Sequence, residues 1–276
     1  MKPLESDSEH RKPWSPPIFR WAGSKKKLVP ILLKHCPSNY GRYIEPFAGS
    51  ACLFFALKPK KVILGDINEE LLHAYNTIRN HPKIVARAAK AIPNSKVMYY
   101  KIRNTDPNIL NPVDRAARFV YLNRFCFNGV YRVNKRGQFN VPRGYRTGQI
   151  QDESMFYRYS LLLRSVEFRI GDFEKCLQDT QKNDFLYLDP PYATNGHRRT
   201  GEYGNNCFES KDIIRLVKIL KQIDKIGARF LLSYANTSEL ANLLPSWTCN
   251  KLLVRRHVAG FAKHRVKVKE VIISNF

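Results

Sequence analysis

The chain has 276 residues, a length that suits one large domain or a core carrying one insertion. Hydrophobic residues make up 43% and aromatics 12%, which excludes a wholly disordered chain. Lysine and arginine total 47 against 23 acids, a net charge of +24, so a polyanion is the first partner to expect and a generally basic protein is the plainer alternative.

In chain order, residues 1–17 are polar and contain Pro3, Pro13, Pro16 and Pro17, and they read as a mobile arm. Arg42–Glu45 reads as a strand, Ser50–Leu57 as a helix and Val62–Leu64 as a second strand. The spacing of Leu71, Leu72, Tyr75 and Ile78 predicts a helix over Glu69–Asn80. This alternation predicts an α/β fold, a parallel sheet covered by helices. It lapses between Pro93 and Leu163, where an inserted, mostly helical segment is expected. Val166–Ile170 and Phe185–Leu188 then read as strands, Asp212–Ile226 as a helix and Arg229–Leu232 as a strand. Lys251–Val254 and Val268–Ile273 are joined by a connection too short for a right-handed crossover, so they predict an antiparallel hairpin at the sheet edge. The expected division is a core of 18–92 plus 164–276 with an insertion over 93–163.

Asp189-Pro190-Pro191-Tyr192 follows the strand Phe185–Leu188, at the sheet edge where open α/β proteins bind ligands. The two prolines remove N–H donors, leaving an acid beside backbone carbonyls. Such a cluster of acceptors suits an exocyclic amine, and Tyr192 offers a flat face to an unstacked base. A plain proline turn with a surface tyrosine is the alternative. The second feature is Glu45-Pro46-Phe47-Ala48-Gly49, a strand-to-helix turn of nucleotide-binding type, although it is not GxGxxG. Asp66, at the end of the next strand, is placed to accept two ribose hydroxyls, with Ile67 beside an adenine ring; an N-cap for the following helix is a compatible second role. By themselves Trp21 and Phe173 read rather as core aromatics, and Lys25 as part of the solvated run Lys25-Lys26-Lys27.

From Arg118 to Arg146 there are seven basic residues and no acid. Asn134-Lys135-Arg136-Gly137 reads as a hairpin turn, with Phe127, Tyr131 and Phe139 interleaved, as a DNA-contacting element requires. Basic residues of the terminal hairpin, from Arg255 to Lys269, suit either phosphate or a protected sheet edge. Ala193–Asn206 reads as a mobile loop able to order over a ligand.

Taken together and in this order, Trp21-Ala22-Gly23-Ser24-Lys25, the Glu45–Gly49 loop, the insertion and Asp189–Tyr192 resemble the adenine-specific DNA methyltransferases of the Dam type, the alpha group or D12 class. Tyr121-Leu122-Asn123-Arg124, Phe127-Asn128-Gly129 and Gly137–Pro142 are similar to that family's insertion. The resemblance implies a Rossmann-like methyltransferase sheet that uses S-adenosyl-L-methionine. It implies Trp21, Lys25, Glu45, Phe47, Gly49, Asp66, Ile67, Asp172, Phe173 and Asp189 at the cofactor, with Asp172 and Phe173 at its adenine. Asp189, Pro190, Pro191 and Tyr192 would hold the target adenine. Arg124, Asn128, Tyr131, Arg132, Asn134, Lys135, Arg136 and Asn140 would meet double-stranded DNA. The chain departs from the family at Ser24 and at Ser50-Ala51, where glycines are usual.

The activity so implied is methyl transfer to N6 of an adenine flipped out of the duplex, with Asp189 and the Pro190 carbonyl accepting the two amine hydrogens. The same chemistry on RNA adenine or a protein glutamine is one alternative, and a non-catalytic DNA-binding relative is another. The six cysteines lack paired spacing and the histidines lack ligand spacing, so reduced thiols, no metal site and a cytoplasmic location are expected. No apolar run of about eighteen residues and no secretory signal is present, so no membrane is expected as a partner. A monomer is the expected state.

Overall fold

A computed structural model describes residues 15–145, 147–192, 208–235, 240, 243–244, 247–255 and 267–276. Most of the N-terminal arm, the Ala193–Asn206 loop and the tip of the terminal hairpin therefore lie outside the described residues. In chain order the elements are α1 (Val29–Lys34), β1 (Tyr43–Glu45), α2 (Cys52–Leu57), β2 (Val62–Asp66), α3 (Glu69–Asn80), α4 (Pro82–Ala91), α5 (Lys96–Asn104), α6 (Pro112–Phe125), α7 (Glu153–Leu163), β3 (Val166–Ile170), α8 (Phe173–Leu177), β4 (Phe185–Leu188), α9 (Ser210–Ile226), β5 (Arg229–Ala235), β6 (Thr248–Arg255) and β7 (Lys267–Ser274).

Among the described residues the strands form one sheet in the order β3-β2-β1-β4-β5-β7-β6. The first five are parallel, and β7 runs antiparallel to both β5 and β6, with Leu232 opposite Ile273 and Cys249 opposite Ile273. The expected Rossmann-like α/β sheet with a terminal antiparallel hairpin is present. The hairpin's second strand docks first and its first strand forms the edge. Side chains alternate between the two faces, as the pleat requires. Tyr43, Val62, Leu64, Phe185 and Tyr187 join the apolar cluster under α3, α4, α6 and α7. Ile44, Ile63, Leu186, Leu188 and Phe230 join the cluster under α8 and α9. Burial on both faces explains why these strands are short, continuous apolar runs.

The helix ends follow local chemistry. Asn68 caps α3 by accepting from the Leu71 amide, and Glu69 and Glu70 in the first turn suit the helix dipole. Helix α9 opens with a reciprocal Glu209–Asp212 capping box and stops at Gly227, whose φ of +81° closes the last turn. The order of the strands reverses between β1 and β4, whose neighbours β2 and β5 lie on opposite sides. A crevice forms there, outside the carboxyl ends of the strands.

Candidate active site

The loop between β1 and α2 is shaped by close backbone approach. Gly49 has φ +44°, and a Cβ there would lie 2.7 Å from the Trp21 ring, so only glycine fits beneath the indole. Asp66, at the end of β2, holds this loop from below: Oδ2 accepts from the Gly49 amide at 2.9 Å and Oδ1 from the Asn68 amide at 2.9 Å. Burial pushes its carboxyl up to about 6, against the pull of these amide donors. Asp66 is not the N-cap of α3; the cap is Asn68, while the Asp66 oxygens are taken by the Gly49 and Asn68 amides. Beside it, Ile67 is 53% exposed at the cleft wall. Glu45, at the end of β1, is buried and accepts from the Tyr43 hydroxyl at 2.8 Å. Burial pushes its carboxyl well above the usual carboxylate range.

The turn after β4 carries Asp189, Pro190, Pro191 and Tyr192, all of which line the same cleft. The sequence reading of a cluster of acceptors with no protein donor is wrong for this turn. Lys25, only 6% exposed, places its ammonium 2.7 Å from Asp189 Oδ1 and 3.4 Å from both the Gly23 carbonyl and the Tyr192 hydroxyl. Its three hydrogens thus meet three oxygens. It is not part of a solvated run, although Lys26 and Lys27 are exposed. Burial pulls the ammonium down, but the attraction of Asp189, Tyr192 and Glu270 outweighs it and holds Lys25 above the usual lysine range. The Tyr192 hydroxyl donates to Glu270 Oε1 at 3.0 Å, and its ring meets the edge of Tyr234 at 5.2 Å.

Sequence reasoning missed Glu270. The available signal was a lone acid directly before the apolar run Val271-Ile272-Ile273, because a carboxylate buried there needs a partner.

On the other side of β1, Asp172 caps α8 through the Glu174 amide and pairs with Arg215 at 2.8 Å. Phe173 is buried against Phe47, with ring centroids 5.4 Å apart, and the Arg215 guanidinium lies 4.9 Å above its ring. Phe173 is therefore both a core side chain and part of the cleft wall.

The insertion forms the far wall. Tyr131 stacks on Trp21 at 6.0 Å. Val133 and Phe139 bridge in antiparallel fashion, and Asn134 Oδ1 accepts from the Arg136 and Gln138 amides, which makes 134–137 a hairpin turn. Asn134, Arg136 and Asn140 line the cleft, Lys135 is exposed at the tip and Arg132 donates to Asn140 Oδ1 at 2.8 Å. Two of the predicted contacts stand apart from this wall. Arg124 is half-buried beside Gly148, and Asn128 is exposed in a left-handed turn at φ +53°. Arg118, counted among the basic residues of this stretch, is buried and donates to the Ile102 and Arg103 carbonyls at the end of α5. Arg146 lies outside the described residues.

One cleft of about 1140 Å³ is lined jointly by the Asp66 loop, the Asp189 turn and the insertion hairpin. The cleft can hold a nucleoside-like group against Asp66 and a second flat ring near Tyr192.

Residues 21–259 match the family profile of D12 class N6 adenine-specific DNA methyltransferases. The chain is 33% identical over 270 residues to the Type II methyltransferase M1.LlaDCHI of Lactococcus lactis subsp. cremoris, covering 94% of this chain and 95% of that protein. It is also 33% identical to the Type II methyltransferase M.MjaIII of Methanocaldococcus jannaschii, over 94% of this chain and 99% of the relative. The DNA adenine methylase of Haemophilus influenzae is 30% identical, over 93% and 92% of the two chains. With the profile spanning six of the seven strands, the insertion and the Asp189 turn alike, the chain belongs to the D12 class N6 adenine-specific DNA methyltransferases.

Proposed function

We propose that this DNA adenine methyltransferase takes its methyl group from S-adenosylmethionine and acts on an adenine flipped out of double-stranded DNA at a defined sequence. The observation that carries the reading is the convergence of Asp66 and Asp189, from two strand ends, on one cleft roofed by a basic hairpin. The fit of the cofactor is supported by the Gly49 backbone, pressed against Trp21 where a Cβ is excluded, and by the Asp66 carboxylate beneath it. Asp66 would accept the ribose hydroxyls, Ile67 and Phe173 would flank the adenine ring, and Asp172 would stand at its edge. Glu45, Phe47 and Trp21 complete the enclosure. Once bound, the cofactor supplies an electrophilic methyl group on a sulfonium sulfur.

The chain's own part is positioning and electrostatics. The adenine amine is a weak nucleophile because its lone pair is delocalised into the ring. Asp189, with the Pro190 carbonyl, would accept its two hydrogens and localise that lone pair. A carboxylate has about four acceptor sites, so Asp189 can keep Lys25 on Oδ1 and still receive an amine. Pro190 and Pro191 stiffen the turn, and Tyr192 would stack on the flipped base. The Asn134–Gly137 turn, with Lys135 and Arg136, would lie on the duplex beside Arg132 and Asn140. Arg124 and Asn128, which stand apart from that hairpin, would contribute beside it.

Transfer of labelled methyl groups to unmethylated genomic DNA, followed by base-resolved mapping of modified adenines, tests this reading. Asp189→Ala is expected to lower the transfer rate by ~100-fold or more while DNA binding persists. Full activity in that variant, or label that never enters DNA, would remove it.

A further inference from the structure

Four groups form one chain, buried at Lys25 and Glu270 and half-buried at Asp189 and Tyr192. The ammonium of Lys25 touches both Asp189 Oδ1 and the Tyr192 hydroxyl, and that hydroxyl donates to Glu270. Glu270 reaches this point from β7, opposite Ala235 of β5 and Leu252 of β6, and is 2% exposed. A carboxylate inside a sheet is costly unless something requires it. A packing role for the strand is served better by the valine and isoleucines that follow it.

We propose that Glu270 is the positioning residue of the adenine pocket: it fixes the Tyr192 hydroxyl and supplies the second negative charge that balances Lys25. This rests on the reading of the Asp189 turn as the adenine site. With Asp189 alone, Lys25 would form a neutral pair and draw electron density away from the carboxylate that must accept the amine. Glu270 also attracts the ammonium, so the two carboxylates share Lys25 and Asp189 keeps more of its charge for the amine. Charge on Asp189 suits the reaction. As N6 gains the methyl carbon, the electron pair of the broken carbon–sulfur bond stays with sulfur, and positive charge moves onto N6 until one of its hydrogens leaves to water. A carboxylate beside N6 that keeps more of its negative charge stabilises that positive charge better. The hydrogen bond to Glu270 also fixes the orientation of the Tyr192 ring.

The test uses the full chain, labelled S-adenosylmethionine and unmethylated genomic DNA. Glu270→Gln keeps shape and an acceptor for Tyr192 but removes the charge; it is expected to lower the single-turnover rate by roughly 30-fold while the KM values for DNA and cofactor stay within about threefold. Glu270→Asp keeps the charge but shortens the reach, and its rate is expected to fall between those of E270Q and the unaltered chain. Tyr192→Phe removes the shared hydroxyl, and combining it with E270Q is expected to cost less than the product of the two single losses, since both act on one network. A wild-type rate in E270Q, fully multiplicative losses or a loss confined to KM would overturn the proposal. Should E270Q fail to fold, E270D, alone and combined with Tyr192→Phe, tests the same coupling by the same criteria. D189A separates the two levels: activity retained there removes the pocket itself, whereas an inactive D189A beside a fully active E270Q removes only the role of Glu270.

Discussion

At Ser24 and Ser50 two hydroxyl side chains meet at 2.8 Å. Ser50 is buried, and this bond ties the Trp21–Lys25 segment to the Gly49 loop. Ala51 is a different case. It holds φ 48° and ψ 38°, the left-handed region, and its carbonyl accepts from Phe55 to start α2. An L-residue there is strained by about 1–2 kcal/mol. Glycine removes that strain but gives the unfolded chain more freedom, about 0.4–1 kcal/mol. Ala51→Gly is therefore expected to stabilise the fold by about 0.5–1 kcal/mol, read as a higher urea midpoint. A lower midpoint would mean that the buried methyl contributes more than its backbone conformation costs.

At the scale of elements, the insertion hairpin shows how much local sequence can carry. Asn134 bonds two amides of its own turn and Gly137 takes φ +76°, so the turn is dictated by the residues within it. Its tip leaves Lys135 and Arg136 in solvent. Replacing both by alanine is expected to weaken DNA binding and to lower the slope of log affinity against log salt by about 1.8, as two fewer phosphates release counterions. An unchanged slope would place the duplex elsewhere. The core strands were legible for a similar reason, since each is a short apolar run between turn residues, and α3 and α9 announced themselves by apolar spacing. What local pattern does not carry is pairing between distant segments. Lys25 reads as one of three lysines until the fold brings it to Asp189, 164 residues away, and Glu270 reads as an edge-strand acid until Tyr192 meets it. Arg118 likewise shares the basic character of its neighbours, yet its position on α6 turns it inward to the end of α5. The candidate site was therefore readable as a set of strand-end acids and turns, and unreadable as a charge network.

At the scale of the molecule, the insertion shares its interior with the sheet. The apolar cluster runs without a break from Phe55 and Tyr75 on the core helices through Phe119, Tyr121 and Phe139 to Phe156 on α7. Polar ties cross the same seam: the Arg20 amide and carbonyl bond Asn123 at 3.0 and 2.7 Å, and Arg115 pairs with Glu69 and Glu70. An insertion built this way has no separate core with which to fold alone. The chain is expected to unfold in urea as one cooperative transition. Two tryptophans test this from opposite sides. Trp21 reports on the seam, stacked on Tyr131, while Trp247 reports on the far face, where its ring meets Phe230 at 4.7 Å and its Nε1 donates to Asp224. With Trp14 replaced by phenylalanine, variants that keep Trp21 alone or Trp247 alone should each give a fluorescence midpoint matching that of the circular dichroism in the same variant. An earlier midpoint at Trp21, with Trp247 and the helical signal persisting, would show that the insertion detaches as a unit and that the roof of the cleft moves independently of its floor.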